Sequence, residues 1–302
     1  MRIIIIIAIT LSFYGCKNSS EKSSKLKVVT TTTMLTDLVN NIGGDNIEVD
    51  GLMGAGVDPH LYKASEGDVS KLFNADVIFY SGLHLEGKLV EVFEKMEAQQ
   101  KKTVALGETL NKAELIGSEY FASNYDPHVW FSIQYFKQFA EKVTQVLTEE
   151  DPKNAEIYKT NNQIYQEKLS VLETNVKAII ETLPEDKRVL VTAHDAFNYF
   201  GKEYGFNVVG LQGISTATEA GVQDVQRLSD FIIENKVKAI FIESSVPRRT
   251  IEALQQAVLS KKHEVIIGGS LYSDALGNAG TIEGTYIGMF LYNVNTIVNA
   301  LK

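Results

Sequence analysis

The sequence predicts an α/β protein with two βα lobes, each holding a mostly parallel sheet, joined by one long rigid helix. Short β-branched runs alternate with longer helical patterns in two blocks, one starting at Leu26 and one starting near Arg188. Such alternation is typical of parallel sheets covered by helices. A long polar helical pattern without glycine separates the blocks, so we predict lobes at 26–150 and 184–302 and a linking helix at 151–183.

The first lobe alternates predicted strands with predicted helices. The strands are Lys27–Thr33, Asn46–Met53, Val77–Tyr80 and Thr103–Leu106, and the helices are Thr36–Ile42, Ser70–Asn74 and Lys88–Gln99. Further along, Trp130, Phe131, Tyr135 and Phe136 have the spacing of the core-facing side of another helix.

The linking helix has clear signals at both ends. Pro152 stands in the first turn, where proline is tolerated, and Pro184 follows the last turn. Its core-facing side is predicted from apolar residues at helical spacing, which are Ile157, Ile164, Leu172, Val176, Ile179 and Leu183. A helix of this length spans about 45 Å. We expect one rigid rod between the lobes, and therefore only a small closure when a ligand binds.

The second lobe repeats the pattern of the first. Its predicted strands are Arg188–Thr192, Asn207–Leu211, Val237–Ile242 and His263–Gly268, and its predicted helices are Ala196–Tyr204, Val222–Asn235, Pro247–Leu259 and Thr281–Ala300.

The first residues have the pattern of an export signal rather than of a folded element. In residues 1–15, Arg2 supplies a positive charge, an apolar run follows, and Gly15 stands before Cys16. The segment resembles a bacterial lipobox. We therefore expect a signal peptide at 1–15, a lipid on Cys16, a polar tether at 16–25, and an exported periplasmic or cell-surface lipoprotein attached to the membrane. The alternative is an ordinary cleaved signal with an unmodified cysteine.

Composition excludes several classes of protein. With 44% hydrophobic and 22% charged residues in 302, the chain is an ordinary globular sequence. The net charge of −9 argues against a nucleic-acid partner, because phosphate neutralisation needs a basic surface. The single cysteine, Cys16, excludes an intrachain disulfide and a cysteine-based metal site. We expect a monomer.

Two histidines share an unusual local context. His60 and His128 each follow Asp-Pro and precede an aromatic residue by two positions. Proline stiffens the preceding backbone, so each histidine is presented from a rigid loop. Asp58 and Asp126 are candidates to support the histidines or to cap a helix, since a carboxylate on the far ring nitrogen fixes the tautomer of a metal-binding imidazole.

The second lobe offers three further groups near strand ends. His194, Glu243 and Asp274 each lie at or after a predicted strand, and the carboxyl ends of parallel strands share one edge where ligands bind. Three imidazoles and one carboxylate suit Zn²⁺, Mn²⁺ or Fe²⁺. Four protein ligands favour carrying a metal over using it in catalysis. Glu243 either supports a ligand or pairs with Arg248 or Arg249.

Six motifs resemble, in family order, the zinc- and manganese-binding solute-binding proteins of bacterial ABC importers. They are Gly56–Tyr62, Gly82–Glu86, Asp126–Trp130, Ala193–Phe197, Ile242–Ser245 and Tyr272–Gly277. The resemblance runs from about Lys27 to the C-terminus. It implies two lobes that clamp one divalent ion and dock on a membrane permease. It also implies a ligand set, which is His60, His128, His194 and Asp274.

The predicted metal is Mn²⁺ or Zn²⁺, and Fe²⁺ is less favoured. Segment 107–125 lacks the histidine-rich loop of zinc-dedicated members, and Lys63-Ala64 replaces a common Glu-Pro pair. Both differences lean toward the manganese or mixed-metal branch.

Two other functions are weighed against metal transport. A secreted zinc hydrolase would need an open metal position and a base, and the chain has no His-Glu-x-x-His motif. A surface adhesin would need a protein-binding patch, which nothing in the sequence marks. Of the remaining histidines, His84 is expected to have a structural role in packing or hydrogen bonding, and His263 is expected to be solvated at the surface.

Overall fold

The computed structural model describes residues 25–119 and 121–302. The predicted signal peptide and the lipidation site Cys16 lie outside the described residues. The described chain folds into two four-stranded sheets with helices on their faces. None of the helices in this part of the chain is both long and apolar enough to cross a membrane.

The first sheet is fully parallel and has the strand order β2-β1-β3-β4. Its strands are β1 (Leu26–Thr30), β2 (Ile47–Gly51), β3 (Val77–Tyr80) and β4 (Lys102–Ala105), and the helices between them are α1 (Thr33–Gly43), α2 (Glu66–Asn74) and α3 (Val90–Ala98). Central strand β3 is buried along its length except at Tyr80, as expected for a strand covered on both faces.

Two helices of this lobe begin earlier than the sequence predicts. Helix α1 starts at Thr33 rather than Thr36, because burial of Met34 and Leu35 against the core outweighs the β preference of the threonine run. Helix α2 starts at Glu66 rather than Ser70. There Ser65 and Asp68 form a reciprocal capping box, with Ser65 N donating to Asp68 Oδ2 at 2.8 Å.

The second sheet repeats the same parallel order, β6-β5-β7-β8. Its strands are β5 (Val189–His194), β6 (Asn207–Gln212), β7 (Ala239–Glu243) and β8 (Ile266–Leu271), and the helices are α6 (Asn198–Tyr204), α7 (Val222–Glu234), α8 (Arg249–Ser260) and α9 (Tyr286–Leu301). Helix α9 begins later than predicted because the hydroxyl of Thr285 accepts a hydrogen bond from Gly288 N and caps the helix there.

Two long helices link the sheets: α4 (Ile133–Glu150) and α5 (Ala155–Glu181). The linking helix α5 has 27 residues and is therefore about 40 Å long. The prediction of its buried side is confirmed at Leu172 and Val176 but is wrong in the first half of the helix, where Ile157 and Ile164 are 42% and 47% exposed. The residues that pack inward are Tyr158, Tyr165, Leu169, Leu172, Val176 and Ile180.

One hydrophobic core joins the two halves of the molecule. Its largest cluster includes Leu38 and Phe79 from the first half and Leu190 and Phe290 from the second. Direct bonds cross the same seam, where the indole of Trp130 donates to Ser273 O at 3.0 Å. The loops at the carboxyl ends of both sheets meet at this seam.

Candidate metal centre

Four side chains from both halves converge at the seam between the sheets. His60 lies in the loop after β2, His128 in the loop after β4, His194 at the end of β5, and Asp274 after β8. One ligand atom from each lies within 4.8 Å of the ligand atoms of the other three. All four side chains are at most 4% exposed. The structure thus brings together the whole predicted ligand set.

Three distances between side-chain atoms of this cluster are close to those found around one small metal ion. His60 Nε2 lies 3.3 Å from His128 Nε2. Asp274 Oδ1 lies 3.5 Å from His128 Nε2, and Asp274 Oδ2 lies 3.3 Å from His194 Nε2. A tetrahedron with metal–ligand bonds of about 2.0–2.1 Å has edges of about 3.3–3.4 Å. The His60–His128 distance and the two distances from the oxygens of Asp274 therefore lie close to the edges of such a shell.

A carboxylate holds His128 in the orientation that points Nε2 inward. Asp126 Oδ1 lies 2.8 Å from His128 Nδ1 and accepts a hydrogen bond from His128 N at 2.9 Å. The second lobe holds this residue in turn, since Asn198 Nδ2 donates to the carboxylate at Asp126 Oδ2 and the Tyr199 hydroxyl donates to the backbone carbonyl of Asp126. A proton held on Nδ1 leaves the lone pair of Nε2 free for a metal.

Glu243 supports His194 in the same way. Its Oε2 lies 2.6 Å from His194 Nδ1, and its Oε1 accepts a hydrogen bond from His194 N at 2.9 Å. This contact follows from topology, because β5 and β7 are neighbours and both residues end their strands. Arg248 pairs instead with Glu252, and Arg249 with Glu219. Of the two alternatives for Glu243, the geometry matches support of a histidine.

Asp58 contacts His60 through the backbone. Its Oδ1 accepts a hydrogen bond from His60 N at 2.9 Å, and its Oδ2 accepts one from the hydroxyl of Thr216 in the second half of the chain at 2.6 Å. The two Asp-Pro-His loops therefore differ, since Asp126 contacts the ring of its histidine whereas Asp58 bonds to the backbone of His60.

Burial and nearby charge shift the pKa values of the converging groups. Burial lowers the pKa of His60 to about 3, so this ring is a neutral donor at physiological pH. Burial alone would also lower the pKa of His194, but the charges of Glu243 and Asp274 outweigh it and hold that pKa well above its usual value. Burial would raise the pKa of Asp274, yet the adjacent histidines keep it below the usual range, and its carboxylate stays ionised.

A known protein family matches nearly the whole of the described chain. The family described as ZnuA, zinc-uptake complex component A, periplasmic, matches residues 28–300. The chain belongs to the ZnuA family. The two-lobe α/β fold of this family member agrees with that of a solved relative, the periplasmic zinc-binding protein TroA of Treponema pallidum, at a TM-score of 0.90 and 47% identity over 92% of this chain and 99% of that one.

Curated relatives of this ZnuA-family chain carry both metals in their names. The manganese-binding lipoprotein MntA of Bacillus subtilis (strain 168) is 47% identical over 296 residues, which cover 97% of this chain and 96% of the relative. The zinc-binding protein TroA of Treponema pallidum (strain Nichols) is 46% identical over 288 residues, which cover 95% and 92%.

The other two histidines of this family member lie outside the cluster. His84 is exposed, has a left-handed backbone with φ of 63°, and packs its ring edge-on to Phe121 at 6.0 Å. His263 is half-buried in the turn before β8. Sequence reasoning missed Asn198, Tyr199 and Thr216, because each bonds to an aspartate that is distant in the sequence and no local motif marks it.

Proposed function

We propose that this chain is an extracytoplasmic solute-binding protein that captures one divalent ion, Mn²⁺ or Zn²⁺, and delivers it to an ABC importer. The observation that carries the proposal is the buried set of His60, His128, His194 and Asp274, whose donor atoms all lie within 4.8 Å of one another. Its relatives, named for manganese binding and for zinc binding, support the metal class.

A closed ligand set argues for cargo rather than catalysis. A hydrolytic zinc site usually has three protein ligands and keeps a fourth position for water. Here protein side chains supply all four corners, and the site is shielded from solvent. A hydrolase is therefore the weaker interpretation, and it would require peptidase or esterase turnover that a chelator abolishes.

The partner and the location follow from the same proposal. A protein that carries a metal needs a membrane permease to receive it. A lipid on Cys16 would keep the chain near such a permease, with residues 16–25 as a tether. The test of the anchor is fatty-acid labelling of the native protein, which should vanish in Cys16→Ala.

Metal binding is tested with the chain lacking residues 1–15, after removal of bound metal with a chelator. Calorimetric titration with Mn²⁺ and with Zn²⁺ should give one tight site, and the double variant His60→Ala/His128→Ala should lose it. His263→Ala is the matched control, because this histidine lies away from the cluster and should bind as the unmodified chain does. Stoichiometric high-affinity metal in the double variant would refute the site.

The identity of the physiological metal needs a separate measurement. Zinc fills nitrogen and oxygen sites readily because of its place in the Irving–Williams order. Elemental analysis of protein purified from its native host under metal-limited growth should therefore find Mn²⁺ or Zn²⁺ at one atom per chain.

A further inference from the structure

The segment between β6 and α7, residues 213–221, crosses the seam to reach the candidate site. Its Thr216 is 7% exposed, whereas its neighbours Ala217 and Thr218 are exposed. The Thr216 hydroxyl donates a 2.6 Å hydrogen bond to Asp58 Oδ2, and Asp58 Oδ1 accepts a hydrogen bond from His60 N at 2.9 Å. One carboxylate thus joins a loop of the second lobe to the backbone of a candidate ligand in the first.

This bond differs from two other links across the seam in the kind of segment that carries it. The Trp130 indole donates to Ser273 O from within the core, and the backbone N of Tyr286, at the start of a long buried helix, donates to Asp37 Oδ2. The segment that carries Thr216 is instead a surface loop with exposed glycines at both ends, Gly213 and Gly221. Breaking the Thr216–Asp58 bond therefore leaves the core packing intact.

The loop also has free space beside it. A cavity of about 680 Å³ is lined by residues on both sides of Thr216, by strand β6, and by Asp195, Asn198 and Phe121. Phe121 packs edge-on against the ring of His60, with the ring centroids 6.5 Å apart. The loop can shift into this cavity without displacing a helix or a strand.

We infer that Thr216 is a positioning residue for metal retention. This inference rests on the proposed function. Its hydroxyl fixes one oxygen of Asp58, the other oxygen fixes the backbone of His60, and the imidazole is thereby held at its corner of the metal shell. Loss of the hydroxyl frees Asp58 and the backbone of His60, and the bound ion leaves faster.

The inference is tested by the rate at which Zn²⁺-loaded protein gives up its metal to an excess of a chromogenic zinc chelator in a stopped-flow experiment. Thr216→Val keeps the shape of the side chain and removes its hydroxyl. Thr216→Ala also removes the hydroxyl but puts no methyl group in its place. A hydrogen bond to a charged group contributes enough that either variant should release zinc about ten- to a hundredfold faster.

Three controls distinguish a positioning role of Thr216 from a general loss of folded structure. Thr216→Ser keeps the hydroxyl and should release zinc as the unmodified chain does. Thr218→Val makes the same change at an exposed position of the same loop and should have no effect. The metal-free Thr216 variants should still unfold in one cooperative transition, which shows that they are folded.

A double-mutant cycle isolates the bond itself. If Thr216 acts through Asp58, adding Thr216→Val to Asp58→Ala should not speed release further. Release from Thr216→Val within twofold of Thr218→Val, or an undiminished effect in the Asp58→Ala background, would overturn the inference. Failure of the unmodified chain to hold one zinc would instead refute the proposed function, so the two failures are distinguishable.

Discussion

At the scale of single residues, the candidate centre is built from pairs of a histidine and a carboxylate. Asp126 holds His128 and Glu243 holds His194, each within 2.8 Å of Nδ1. In both pairs the carboxylate fixes the ring and makes Nε2 the free donor. Mutation of outer partners of this kind typically costs a large factor in metal affinity.

Replacing Asp126 by Asn should weaken metal binding about 10- to 100-fold. The change keeps the shape of the side chain but removes the charge that holds the Nδ1 proton of His128. Competition with a chromogenic chelator measures the affinity. Asp45→Asn is the control, because it makes the same change at an exposed position and should leave the affinity unaltered. An affinity for Asp126→Asn within threefold of the unmodified chain would contradict this role.

The sequence predicts the converging residues better than it predicts what holds them. His60 and His128 repeat one short motif, and His194 and Asp274 follow predicted strands, so local patterns find all four. The bonds from Asn198 and Thr216 join residues 72 and 158 positions apart in the chain. Contacts of that separation depend on how the lobes dock, which no local pattern encodes.

At the scale of secondary structure, the order of elements is predictable and their ends are less so. Alternation predicts every strand of both sheets within a few residues, because a strand covered on both faces needs a continuous apolar run. Ends depend on capping side chains instead. Ser65 and Thr285 move the starts of α2 and α9 away from where apolar periodicity alone would put them.

In the linking helix, the prediction of which side is buried fails for a different reason. The predicted core side includes Ile157 and Ile164, but the buried residues at the neighbouring positions are Tyr158 and Tyr165. Tyrosine buries a large ring when its hydroxyl has a partner. The hydroxyl of Tyr158 donates to Asp151 Oδ2 at 2.6 Å, which offsets the cost of burying that ring, and the two isoleucines face solvent.

This orientation of α5 predicts that shortening two of its side chains has unequal effects on stability. Leu169 is fully buried, so Leu169→Ala should lower the free energy of unfolding by about 2–5 kcal/mol. Ile164 is 47% exposed, so Ile164→Ala should cost about 1 kcal/mol or less. Urea unfolding of the metal-free protein, followed by far-UV circular dichroism, measures both. Equal losses would mean that α5 is rotated from the orientation described.

At the scale of the whole molecule, the two lobes share one core and one candidate site. The largest hydrophobic cluster contains residues of both sheets and of α5 and α9, so neither half is packed independently of the other. A rigid 27-residue helix with buried residues along its length limits how far the lobes can separate. We therefore expect the ion to be released through small local shifts at the seam rather than through wide opening of a cleft.

A shared core predicts that the metal-free protein unfolds in one cooperative transition. Trp130, the single tryptophan, lies at the seam with its ring centroid 5.2 Å from that of His128, so its fluorescence reports on the junction of the lobes. Melting curves from this fluorescence and from far-UV circular dichroism should coincide. Two separated transitions would show that the lobes unfold independently.

Bound metal should then stabilise the whole molecule, because it binds ligands from both halves of the folded chain. Free metal at a hundred times the dissociation constant adds about 2.7 kcal/mol, and the melting temperature should rise further with each increase in free metal. The double variant His60→Ala/His128→Ala should show no such rise. An equal rise in melting temperature in that variant would mean that the stabilising ion binds at a site that does not contain His60 and His128.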